Sequence, residues 1–199
     1  MYYYIGTLAV TIYFVTIFIF SVLLRGFAPF ISSRPWVIGQ ILNEIELRPN
    51  STIYSFGSGK SGFLYAIGRK YPDATLIGVE WLILPFVSSR IQVFLRRAKI
   101  KVLFKRNLRE VDVKKADLIY CYLDVDLLKD LAKKFKFECR PGTKIVSNGF
   151  LVPGLEPTKV LELTENKKER FAFLLRNRML WLPKRKRSKK ENKIYFYEI

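Results

Sequence analysis

Residues 57–62 read Gly-Ser-Gly-Lys-Ser-Gly, and two chemistries use such a run. A phosphate loop would set Lys60 and Ser61 against nucleotide phosphates. A cofactor turn would need only Gly57, Gly59 and Gly62, in the order G-x-G-x-x-G. The phosphate loop requires a further glycine at position 54, where the chain has Tyr54. Without it the backbone N–H groups do not wrap inward around an anion. Asp124, at the end of the apolar run LIYCYLD, offers an acid for magnesium in that reading. An Asp in that place is equally an ordinary helix N-cap. The cofactor turn instead needs an acid on the next strand, to accept hydrogen bonds from ribose hydroxyls. Glu80 ends the run TLIGVE, 23 residues after Gly57 and close to the expected interval of about 20.

These residues need a scaffold that brings strand ends together. STIYSFG, TLIGVE, KVLFKR, ADLIYCYL and GTKIVSNG read as five short strands. SGFLYAIGRKY, PFVSSRIQVFLRRAK and DVDLLKDLAKKFKF read as helices between them. Ahead of the first strand, Val37, Ile38, Ile41, Leu42 and Ile45 recur at helical spacing after the start signals Ser33 and Pro35. Strands alternating with helices predict a parallel sheet covered on both faces. After Gly149 the rhythm breaks. KVLELTE and KIYFYEI then predict an antiparallel hairpin at one edge, with FAFLLRNRMLWLP and the basic run 184–190 between them.

Half of the 199 residues are hydrophobic, which supports a real core. Lys and Arg number 35 against 17 acids, a net charge of +18. Such an excess points to a polyanionic neighbour, either nucleic acid or an anionic membrane surface. The chain has no histidine. That excludes a histidine-ligated metal, a Ser-His-Asp triad and a Cys-His pair, and no metal is expected. Cys121 and Cys139 have no CxxC spacing and read as reduced thiols. Residues 2–24 carry no charge. As a helix they would extend roughly 34 Å, the thickness of a bilayer core. Residues 1–24 are therefore expected to form a single transmembrane anchor, and residues 25–199 the functional domain. The basic remainder follows the span, so the positive-inside rule places that domain on the cytoplasmic side.

The glycine turn, Glu80 and the late hairpin together resemble class I S-adenosylmethionine-dependent methyltransferases. More narrowly, the chain resembles the small membrane-anchored family that includes the ATP synthase c-subunit lysine methyltransferase. The likeness is carried by the uncharged start, APFISSRP, YSFGSGKSG with GVEW, ADLIYCYL, and RPGTKIVSNGFLVPGLEP. It implies a Rossmann-like α/β sheet, mostly parallel with an antiparallel edge strand, and S-adenosyl-L-methionine as cofactor. It also implies that Ser55, Gly57, Ser58 and Gly59 line the methionine side, that Glu80 holds the ribose and that Trp81 lies against the adenosine. Asn107 would sit near the adenine amine, and Tyr120, Tyr122 and Leu123 near the transferred methyl. Similar enzymes usually carry an acid at the place of Ser55, and often an Asp at the place of Lys60.

Methyl transfer to an amine requires a neutral nucleophile held in line with the methyl group. Tyr122, Asp124 and Asn148 are the candidate catalytic residues by their places at strand ends, and each also has an ordinary structural role there. The leading expectation is a protein-lysine N-methyltransferase acting on a membrane protein, with the bilayer as a further partner. A lipid or small-molecule methyltransferase is one alternative. A non-catalytic, membrane-tethered module that binds anionic lipid or nucleic acid is the other, with nucleic acid less favoured.

Overall fold

The computed structural model describes residues 4, 6–8, 10–16, 35–163 and 193–199. Its sheet has seven strands in the order β3-β2-β1-β4-β5-β7-β6. They are β1 (Thr52–Phe56), β2 (Thr75–Glu80), β3 (Ile100–Phe104), β4 (Leu118–Cys121), β5 (Lys144–Asn148), β6 (Lys159–Glu162) and β7 (Lys193–Glu198). The first five are parallel, and β7 runs antiparallel between β5 and β6. The expected late hairpin is therefore present, with its second strand inserted inside the edge rather than added outside it.

Among the described residues four helices cover the sheet: α1 (Pro35–Asn43), α2 (Gly62–Lys70), α3 (Ile83–Leu95) and α4 (Val125–Glu138). Successive strand residues point to opposite faces, so two core layers form. Ile53, Leu76, Leu118, Tyr120 and Val146 meet α1 and α2 through Val37, Ile41, Phe63 and Leu64. Phe56, Val79, Ile119, Cys121 and Ile145 meet α4 through Leu128, Leu131 and Phe135. The central strands are apolar on both faces because both faces are covered. The edge strand β6 is mostly exposed. Between β3 and β4 the crossover holds a single 3-10 turn, Leu108–Glu110, in place of an α-helix.

Both cysteines are free and buried. Residues 4, 6–8 and 10–16 are helical and exposed. Among the described residues no helix is long and apolar enough to cross a membrane. Most of the expected anchor, the segment FAFLLRNRMLWLP and the basic run 184–190 lie outside the described residues.

Candidate active site

The strand order reverses at β1, whose neighbours are β2 and β4. In open α/β sheets, ligands settle at the carboxyl ends of the strands beside such a switch. The glycine run lies there. Gly57 leaves β1 with φ +70. A Cβ on it would stand 2.9 Å from the Tyr122 carbonyl oxygen, 3.0 Å from Leu123 Cδ2 and 3.4 Å from Trp81 Cζ3. Backbone conformation and space both demand glycine here. Its N–H donates to the Val79 carbonyl at 3.0 Å, which ties the turn to β2. At Gly59 a Cβ would meet nothing within 4 Å, so this side of the turn is open.

Glu80 closes the arrangement. The Gly59 N–H donates to its Oε1, and the Ser58 hydroxyl donates to the same atom at 3.3 Å. Among the described residues its second oxygen, Oε2, accepts no hydrogen bond. The side chain is 2 % exposed. Burial pushes its pKa up from 4.5 to about 7, while the bonds from Gly59 and Ser58 pull it down. A buried carboxyl with one oxygen bonded to the turn and one oxygen free of protein donors suits a pair of ribose hydroxyls. Gly78 was not singled out by the sequence, yet it makes this contact possible. A Cβ there would lie 2.9 Å from Ser58 Oγ. The signal was a glycine inside a strand, which marks close approach of another backbone or side chain.

The phosphate-loop reading fails on this geometry. Ser61 has φ +56, and its hydroxyl shares a buried 2.7 Å hydrogen bond with Ser89 of α3. It cannot serve a metal-bound phosphate while fixed to that helix. Asp124 accepts from the Leu127 N–H at 2.9 Å as the N-cap of α4, which is the structural role.

The other expected residues separate into two groups. Ser55 is buried in register with Gly78 and Tyr120, beneath the turn. Trp81 is half-buried beside Gly57, with Tyr122 and Leu123 on the other flank. Tyr120 is buried and stacks on Phe63 with centroids 4.0 Å apart. Its hydroxyl accepts from Asn148 Nδ2 at 2.8 Å, joining the ends of β4 and β5. Lys60 is half-buried in the turn itself. Asn107 stands apart as an exposed N-cap, its side-chain oxygen accepting from the Arg109 N–H at 3.1 Å. The structure thus groups the turn, Glu80, Trp81 and Tyr122 at one switch point. It ties Asn148 to Tyr120, and it gives Asp124 and Asn107 capping work.

A family model described as the ANTKMT methyltransferase domain matches residues 55–159. The chain belongs to that family. The match begins in β1 at Ser55 and ends at the first residue of β6, so it spans the whole switch-point cluster. A protein-lysine N-methyltransferase of Saccharolobus islandicus (strain REY15A) is 23% identical over 155 residues, covering 73% of this chain and 91% of that protein. Among solved structures, an RNA methyltransferase from Salinibacter ruber in complex with S-adenosyl-L-homocysteine matches with a TM-score of 0.65 and 16% identity. That match covers 85% of this chain and 94% of the other. A SAM-dependent methyltransferase from Geobacter sulfurreducens, also with S-adenosyl-L-homocysteine, matches with a TM-score of 0.53 and 15% identity, covering 75% and 59% of the two chains. At these identities the structures establish the fold of the methyltransferase domain, and the family match establishes its class.

Proposed function

We propose that the chain is an S-adenosylmethionine-dependent protein-lysine N-methyltransferase whose substrate is a membrane-associated protein. The observation that carries the cofactor is the meeting of Glu80 with the glycine turn at the switch point. The residues fit the ligand. Glu80 offers Oε2 to ribose hydroxyls, the open side of Gly59 admits the adenosyl group, and Trp81 supplies a flat apolar wall. When bound, S-adenosylmethionine supplies a methyl group activated by its cationic sulfur. The chain's own task is to hold a neutral amine in line with that group. A lysine entering beside the half-buried Tyr122 loses solvent, which lowers its pKa and favours the neutral amine. Its proton leaves to water before the N–C bond forms.

The lysine substrate is supported by the Saccharolobus relative's own activity. The membrane is supported by the uncharged run 2–24 and by its described portion, where apolar side chains such as Leu8 and Phe14 are exposed. There the hydroxyls of Thr7 and Thr11 donate to the carbonyls of Tyr4 and Thr7 at 3.0 and 2.9 Å. Polar groups satisfied within their own helix are what a lipid surrounding requires. In this reading residues 1–24 anchor the chain once, and the domain lies on the cytoplasmic side.

Incubating detergent-solubilised protein with methyl-radiolabelled cofactor and native membranes tests the reading. Label in protein, recovered as methyl-lysine after hydrolysis, is expected. Label confined to lipid or RNA would reject the lysine substrate.

A further inference from the structure

Helix α3 packs Phe86 and Val93 against the core, yet its outer face is apolar as well. It buries Pro85, Ser88, Ser89 and Gln92. Toward solvent it turns Ile83, Leu84, Val87, Phe94 and Leu95, with Phe94 81 % exposed and Leu95 63 %. Leu82, just before the helix, is exposed as well. A helix on a water-facing surface normally does the reverse. The stripe runs the length of the helix, about 20 Å.

Cations flank the stripe. Residues 90–109 contain eight Lys or Arg and no acid. Arg90 on α3, and Arg97 and Lys99 in the turn that follows it, are exposed. None of these three forms an ion pair among the described residues, where Lys105 bonds Glu110 and Arg109 bonds Asp130. The partner must therefore satisfy two demands together: a wide apolar contact and dense negative charge. Nucleic acid would take the cations and leave six apolar side chains in water. An anionic bilayer takes both, the apolar side chains entering the interface and the cations meeting lipid phosphates.

We propose that α3 is a membrane-docking face, inserting its Ile83–Leu95 stripe into the interface of an anionic bilayer. This deepens the membrane reading above and rests on it for the protein's presence at a membrane. The helix starts two residues after Trp81, so docking brings the Glu80 and Trp81 end of the cleft to the lipid surface. It selects acceptor lysines at the membrane–water boundary. α1 and α2 share the sheet face with α3, and the uncharged run 2–24 precedes α1 in the chain.

The test uses the full chain reconstituted in vesicles, carrying one fluorescent label at Phe94→Cys or, as control, at Phe137→Cys. Phe137 is 86 % exposed on α4, and the native cysteines are buried. The vesicles are phosphatidylcholine alone or phosphatidylcholine with phosphatidylserine, each with and without nitroxide-bearing lipid. In the anionic vesicles the label at 94 is expected to be quenched several-fold more by nitroxide lipid than the label at 137. Joint replacement of Arg90, Arg97 and Lys99 by Gln is expected to remove most of that difference. Equal quenching at 94 and 137, or equal quenching at 94 in neutral and anionic vesicles, would overturn the proposal. So would a label at 94 that is shielded from aqueous iodide yet untouched by nitroxide lipid, because protein then covers the stripe. Shielding by added RNA and not by vesicles would also overturn it. None of these signals requires methyl transfer, so failure of docking and failure of the lysine reading are told apart.

Discussion

The carboxyl ends of β1 and β2 lie beside those of β4 and β5, yet the two sides of the cleft are built from different materials. On the first side the contacts are mostly backbone: the Gly57 and Gly59 N–H groups, joined by the Ser58 hydroxyl and a single carboxylate at Glu80. On the second they are side chains, with Asn148 bonded to Tyr120 and Tyr120 stacked on Phe63. A backbone cradle tolerates almost no change at its glycines and can grip only a ligand of fixed shape. A side-chain wall can be altered one residue at a time. In the function proposed above, the first side takes the cofactor and the second the acceptor.

The largest way to break that contrast is Gly57→Ala. Positive φ and contact with the Tyr122 carbonyl should together cost about 2–4 kcal/mol of stability and abolish cofactor binding. Thermal denaturation and calorimetry would show it. Glu80→Gln keeps the shape and removes the charge. Losing a charged acceptor should weaken cofactor binding roughly ten- to a hundredfold, as read by calorimetry.

The pH dependence sharpens the same point. Without ligand, Glu80 holds its proton up to about pH 7, whereas an unshifted carboxyl releases it near 4.5. Its contribution to stability is thus complete below about 4.5 and is lost as the pH rises through about 7. Ribose hydroxyls favour the ionised form, so cofactor affinity should rise about tenfold between roughly pH 6 and 8 and then level off. Glu80→Gln should flatten that rise relative to the wild type.

The second side should respond more gently. Tyr120→Phe removes the acceptor of Asn148 and should cost about 1–1.5 kcal/mol in denaturant unfolding, with cofactor affinity retained. Asp124→Ala removes only a helix cap. It should cost about 1 kcal/mol and leave turnover in the radiolabel assay unchanged.

The same division explains what the sequence made legible. Gly57, Gly59 and Glu80 could be read because strand ends and glycine spacing are local properties of the chain. The late hairpin could be read because the β-rich runs KVLELTE and KIYFYEI follow the break in the strand–helix rhythm after Gly149. The pairing of Tyr120 with Asn148 could not, because 28 residues separate them and only the β4–β5 register joins them. Gly78 matters through Ser58, on a different strand end. Ser61 carried two meanings in one dimension, and Ser89 decided between them. α3 was readable as a helix. Its exposed face was not, since hydrophobic spacing alone predicts that such a stripe faces the core.

Calorimetric titration of the full chain with S-adenosylmethionine, run beside Glu80→Ala, shows whether the carboxylate at the switch point holds the cofactor. Saturable one-to-one binding by the wild type, lost in the variant while its fold is retained by circular dichroism, is the predicted result. Equal binding by both proteins, or no binding by the wild type at millimolar ligand, would rule out a cofactor site at Glu80.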